Sequence, residues 1–210
     1  MRVNETFYSI QGEGPQIGMP ALFIRLAGCN LDCSYCDSKY AKEGKTNLPA
    51  LIVNETLNGH QCKNVVITGG EPMIQHDLLT LLKLIRNKGG IPYVETNGTI
   101  FDSMIIGFAN FIVSPKLQYM NENYLKVLKK WQMHATFKFV IGSRREFDEA
   151  VQLCKDIDKL DDVYFMPKGI DDKKLKDIMI SMVEWIKEDA PFVRLSPRLQ
   201  IHLYGNKRGV

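Results

Sequence analysis

Three cysteines stand within eight consecutive residues, as Cys29-x3-Cys33-x2-Cys36. The other two, Cys62 and Cys154, stand alone and read as plain core thiols. An odd total, behind an N-terminal stretch (Met1 to Gly14) with no apolar leader, argues against a disulfide framework and for metal binding. Three thiolates on one loop can grip three corners of a cubane 4Fe–4S cluster. The fourth iron is then free to hold another ligand, which is the mark of a catalytic rather than a structural centre. Structural zinc, with Cys62, His60 or His76 as fourth ligand, answers the same spacing. The cysteines alone leave the two readings level.

A second cluster of chemistry-bearing residues is Gly69-Gly70-Glu71-Pro72. Paired glycines let backbone approach a ligand closely, Glu71 can accept hydrogen bonds from an amine, and Pro72 stiffens the strand exit. Further groups of this kind are Glu95-Thr96-Asn97-Gly98, Ser114-Pro115-Lys116 and Met166-Pro167-Lys168-Gly169. Arg25 lies among Phe23, Ile24 and Leu26, where a guanidinium needs an anionic partner, either a ligand carboxylate or a structural acid.

The elements that position these groups are short β-rich runs alternating with amphipathic segments. Strands are predicted over Ala21–Leu26, Val65–Thr68, Pro92–Glu95, Phe111–Ser114, Thr136–Ile141, Val163–Pro167 and Phe192–Ser196. Helices are predicted over Leu48–Leu57, Asp77–Asn87, Ser103–Phe108, Glu122–Trp131, Arg144–Ile157 and Lys173–Lys187. Such alternation means βα units and a parallel sheet. With 210 residues the chain is short for an eight-stranded barrel, which takes about 250. The expectation is one α/β domain over residues 1–210, built as a partial, open βα barrel of about six parallel strands. Nearly every chemistry-bearing group then falls just after a strand, on the C-terminal face where such folds build their sites.

Composition excludes several classes. Hydrophobic residues make up 45% and charged residues 24%, as in ordinary globular domains. No apolar run approaches the roughly 18 residues of a membrane span. A net charge of +3, without a basic stripe, argues against a nucleic-acid partner. The expected compartment is the cytoplasm.

Cys29-x3-Cys33-x2-Cys36 followed by Gly69-Gly70-Glu71-Pro72 resembles the radical S-adenosylmethionine (SAM) superfamily. Within it the chain is most similar to the 7-carboxy-7-deazaguanine synthase family. Phe7–Gly14, Phe23–Leu31, Cys36-Asp37-Ser38, Glu95–Gly98, Ser114–Lys116 and Arg194-Leu195-Ser196-Pro197 carry that likeness over nearly the whole chain. The resemblance implies a lyase that converts 6-carboxy-5,6,7,8-tetrahydropterin to 7-carboxy-7-deazaguanine and ammonia, for the tRNA bases queuosine or archaeosine. It implies reductive cleavage of SAM to a 5′-deoxyadenosyl radical, which takes hydrogen from C6 of the pterin before the ring contracts.

By position, the resemblance puts the cluster on Cys29, Cys33 and Cys36. Magnesium falls to Ser38, where threonine is commoner. Substrate falls to Ile10, Gln11, Gly12, Arg25 and Thr68, with Glu13 and Glu95 as further candidates and Glu95 as the possible catalytic residue. SAM falls to Gly70, Glu71, Ser114, Pro115, Lys116, Met166, Pro167, Lys168 and Gly169; at position 168 an uncharged polar residue is the expected type. Tyr35 is expected to pack over the cluster loop. A reductant protein such as flavodoxin or ferredoxin, and a homodimer, are also implied. The alternatives are an activating enzyme for a glycyl-radical protein, which should lack the Gln11-Gly12-Glu13-Gly14 segment, and a non-enzymatic zinc module on Cys29, Cys33, Cys36 and Cys62.

Overall fold

The structure, a computed structural model, describes residues 1–44, 46–47 and 62–210. The helix expected over Leu48–Leu57 lies outside the described residues. Nine strands form one sheet among those described: β1 (Arg2–Ile10), β2 (Pro20–Leu26), β3 (Thr46–Asn47), β4 (Asn64–Gly69), β5 (Ile91–Thr96), β6 (Asn110–Val113), β7 (Ala135–Ile141), β8 (Val163–Pro167) and β9 (Val193–Leu195). Their spatial order is β3-β1-β2-β4-β5-β6-β7-β8-β9. Every neighbouring pair from β2 to β9 is parallel, whereas β1 runs antiparallel to both β2 and β3. Parallel pairing thus links seven strands rather than about six, and the sheet is an open α/β partial barrel.

All seven predicted strands are present, with shifts of a residue or two at their ends. β1 was not predicted, because Asn4, Glu5, Thr6 and Ser9 interrupt its apolar residues and most of the strand is only half-buried. β4 carries Val65-Val66-Ile67, all three sealed from solvent, as expected of a strand covered on both faces.

Helices α1 (Leu78–Asn87), α2 (Glu122–Trp131), α3 (Arg144–Asp156) and α4 (Asp172–Asp189) follow strands and pack on the outer face. In α1 the buried residues are Leu78, Leu81, Leu82 and Ile85, one stripe at helical spacing. Asn121, Ser143 and Asp171 cap α2, α3 and α4, each accepting from a backbone N–H of the first turn. Ser103–Phe108 is not a helix: only the 3-10 turn Ile106–Phe108 forms there. A short unpredicted helix, α5 (Leu199–Tyr204), follows β9.

The core lies between helices and sheet, with Trp131, Phe137, Phe139, Phe147 and Phe165 fully buried. On the opposite, lumen face, strand register sets Glu5 beside Arg25 and Arg25 beside Thr68. Lys138 sits beside Tyr164, and Tyr164 beside Arg194. No helix among the described residues is long and apolar enough to cross a membrane.

Candidate active site

A cavity of about 310 Å³ opens at the strand exits and runs down the lumen face. That is within the range of small-molecule sites. Its wall includes Cys29, Cys33 and Cys36, none of them in a disulfide. Burial pushes the Cys29 and Cys33 thiols up from their ordinary value. The loop is held at several points. Asp32 N–H donates to the Tyr119 hydroxyl at 3.1 Å, Ser34 to Gln118 at 3.2 Å, and Asn30 to Thr99 at 2.8 Å. Lys42 pairs with Asp32 at 2.6 Å. Tyr35 also lines the cavity, with the Lys168 ammonium 4.8 Å from its ring centre.

Gly69 and Gly70 seat this loop. Gly69 has φ +135°, a conformation that favours glycine, and a Cβ at Gly70 would fall on the Gly28 carbonyl oxygen. Gly70 N–H donates to Leu26 O at 3.0 Å and Glu71 N–H to Gly28 O at 2.8 Å. The glycines thus admit the neighbouring strand's exit, in addition to lining the cavity. Glu71 is fully buried behind the wall. Its carboxylate accepts from Met73 N–H at 2.9 Å, Thr96 Oγ1 at 2.6 Å and Asn97 N–H at 2.7 Å. Burial raises its pKa, against those three donors. So Glu71 ties the exits of β4 and β5 together and does not face the cavity. Pro115 and Pro167 are buried and likewise absent from the cavity wall.

The remaining predicted residues all line the cavity: Ile10, Gln11, Gly12, Glu13, Arg25, Ser38, Thr68, Gly70, Glu95, Ser114, Lys116, Met166, Lys168 and Gly169. Arg25 has an acid beside it. Its Nε donates to Glu5 Oε1 at 2.7 Å, and Tyr40 OH donates to the same oxygen at 3.1 Å. Arg25 makes no other ion pair among the described residues, so its two Nη groups remain for a further anion. Glu95 accepts from Thr68 Oγ1 at 3.0 Å and from Gln11 Nε2 at 3.2 Å. Lys116 donates to Ser114 Oγ at 2.6 Å, and burial lowers its pKa. Lys168 pairs with Glu146, which accounts for a charge at a position where an uncharged residue was expected.

Lys138 and Arg198 are among the cavity residues that were missed. Lys138, in the middle of β7, pairs with Glu13 at 2.8 Å and Glu95 at 3.2 Å. Arg198, at the start of α5, pairs with Glu13 at 3.0 Å and with Asp37, and donates to Gly169 O. Gln200 Nε2 also donates to Glu13, at 2.6 Å. Burial alone would push the Glu13 carboxyl up, but Lys138 and Arg198 outweigh it and hold it well below the usual carboxylate range. Glu13 is therefore a hub within the protein rather than a free acceptor. A lysine among Thr136, Phe137, Phe139 and Val140 was the available signal for Lys138.

The donor set fits an iron–sulfur cluster: three unpaired thiols on one loop, in the wall of a cavity large enough for a ligand beside them. It does not fit zinc closed by Cys62. That thiol contacts Pro20 O at 2.9 Å, at the start of β2, whereas Cys29 follows the end of that strand. A seven-residue strand, about 20 Å long, separates the two ends.

The profile of the Radical SAM superfamily matches residues 23–181. A 7-carboxy-7-deazaguanine synthase of Thermoplasma acidophilum is 31% identical over 222 aligned positions, covering 100% of both chains. One from Clostridium acetobutylicum is 31% identical over 226, covering 100% of this chain and 99% of its own. The crystal structure of QueE from Escherichia coli superposes with a TM-score of 0.71 at 28% identity, over 94% of this chain and 93% of that one. The chain belongs to the radical SAM superfamily and, within it, to the 7-carboxy-7-deazaguanine synthase family.

Proposed function

We propose that this enzyme converts 6-carboxy-5,6,7,8-tetrahydropterin to 7-carboxy-7-deazaguanine with release of ammonia. The observation that carries the substrate is a bipolar lumen. Arg25 stands in register with Thr68, and Thr68 bonds Glu95 from the other side. A guanidinium and a carboxylate thus flank one hydroxyl. A ligand with an acid at one end and a guanidine-like N–H edge at the other matches both. Ile10, Gln11 and Gly12 line the cavity, and Gln11 donates its side-chain amide to Glu95 at 3.2 Å, at the carboxylate end.

Cys29, Cys33 and Cys36 would hold the cluster, which supplies, when bound, the electron that opens radical chemistry on SAM. Gly70, Ser114, Lys116, Met166 and Gly169 would line the SAM. Glu71 serves SAM indirectly, by fixing the exits that carry Gly70 and Thr96. The protein's part is to orient both ligands and exclude water. Ser38 offers a hard oxygen donor for magnesium, and its hydroxyl now donates to Asp37 at 2.9 Å. Cys36 is exposed, which gives a reductant protein such as flavodoxin or ferredoxin a short path to the cluster.

The experiment is anaerobic reconstitution, then incubation with SAM, reductant and the carboxypterin, with and without magnesium. The deazapurine and ammonia should form together, faster with magnesium. SAM cleavage with no deazapurine would overturn the substrate; an identical rate without magnesium would remove Ser38 as a ligand.

A further inference from the structure

An alternating chain of charges crosses the cavity floor: Asp37, Arg198, Glu13, Lys138, Glu95. It joins the residue after Cys36 to β5, two strands away from the β2 strand that carries Arg25. Lys138 links its last two carboxylates, Glu13 and Glu95, and leaves only 5% of its side chain exposed. With so little of it exposed, the ammonium is tolerable there only when paired. Glu13 comes to it from the β1–β2 connection and Glu95 from β5. Lys116 repels it from the β6 exit, and the Tyr164 phenol neighbours it on β8. Its reach is divided unequally. Glu13 is saturated by Lys138, Arg198 and Gln200, while among the described residues Glu95 Oε2 has the Thr68 hydroxyl alone.

We propose that Lys138 is a specificity-determining positioning residue: its ammonium, held between Glu13 and Glu95, keeps the Glu95 carboxylate turned to accept the N–H edge of the substrate. This rests on the carboxypterin reading above. Without the ammonium, two partly buried carboxylates share the floor with too little positive charge. They repel one another, and Glu95, less tethered than Glu13, is the one that turns away. A displaced Glu95 no longer meets the N–H edge, and the match is lost. SAM, on the cysteine-loop side, does not depend on Glu95.

The test is equilibrium titration of the reconstituted holoenzyme with carboxypterin and, separately, with SAM. Lys138→Met should bind the pterin roughly 10- to 100-fold more weakly than wild type, the size of a lost charged hydrogen bond. SAM affinity should stay within about twofold, and Lys138→Arg should restore pterin binding. Wild-type pterin affinity in Lys138→Met, or equal losses for pterin and SAM, would overturn the proposal. If Lys138→Met does not fold, Lys138→Gln beside Lys138→Arg gives the same contrast. A wild type that binds SAM but not pterin would instead mark the failure of the substrate reading itself.

Discussion

Arg25 was legible as a cation in need of an anion, and the structure supplies Glu5 as that anion. A substrate carboxylate would add to that pair through the Nη groups rather than neutralise an isolated charge. Arg25→Ala should therefore weaken carboxypterin binding by about 10- to 150-fold, the range for a charged hydrogen bond of about 1.5–3 kcal/mol, while SAM binding holds. Parallel titrations decide it: equal losses would reduce Arg25 to a structural partner of Glu5. The three cysteines were equally legible, because they lie within one loop. Lys138 and Arg198 were not. Their carboxylate partner, Glu13, is 125 and 185 residues away in sequence, and no local pattern reports a pairing that long.

At the level of elements, periodicity revealed the strands and helices that bury one clean stripe, such as β4 and α1. It failed for β1 and α5, whose residues divide between the cavity, solvent and the sheet edge. Both matter to the site: β1 brings Glu5 and Ile10, and α5 follows Arg198 and brings Gln200. The Gly69-Gly70 pair shows how one element seats another. A methyl group at Gly70 would meet the Gly28 carbonyl, so Gly70→Ala should push the cysteine loop off its seat. Iron per chain after anaerobic reconstitution should fall well below the roughly four of wild type, with thermal stability reduced. A Gly70→Ala protein that holds a full cluster would mean that the loop is positioned instead by its side-chain tethers to Tyr119, Gln118 and Thr99.

For the molecule as a whole, the helices close the outer face with a conventional core, while a network of opposed charges joins the first loop, β5, β7 and the start of α5 across the lumen. That network should give stability a pH signature. The Glu13 carboxyl is held below its ordinary value, so its contribution is full above the ordinary carboxylate range and is lost as pH falls toward the folded value. Lys138 is shifted the other way: burial would lower it, but Glu13 and Glu95 raise it, so its contribution persists until the solution becomes strongly alkaline. Glu71, raised by burial, acts with the opposite sign to Glu13 but is present in wild type and variant alike, and drops out of their difference. Glu13→Gln removes one partner of a buried set and should cost about 3 kcal/mol near neutral pH. The gap between wild type and variant should then narrow steadily as pH is lowered from about 5 to about 3, because only the wild type must take up a proton at this position. Denaturant unfolding of both proteins across that range measures it. A gap that stays constant would mean that Glu13 stabilises the lumen through shape and neutral hydrogen bonds, and that the charge chain contributes little to holding the first loop and α5 together.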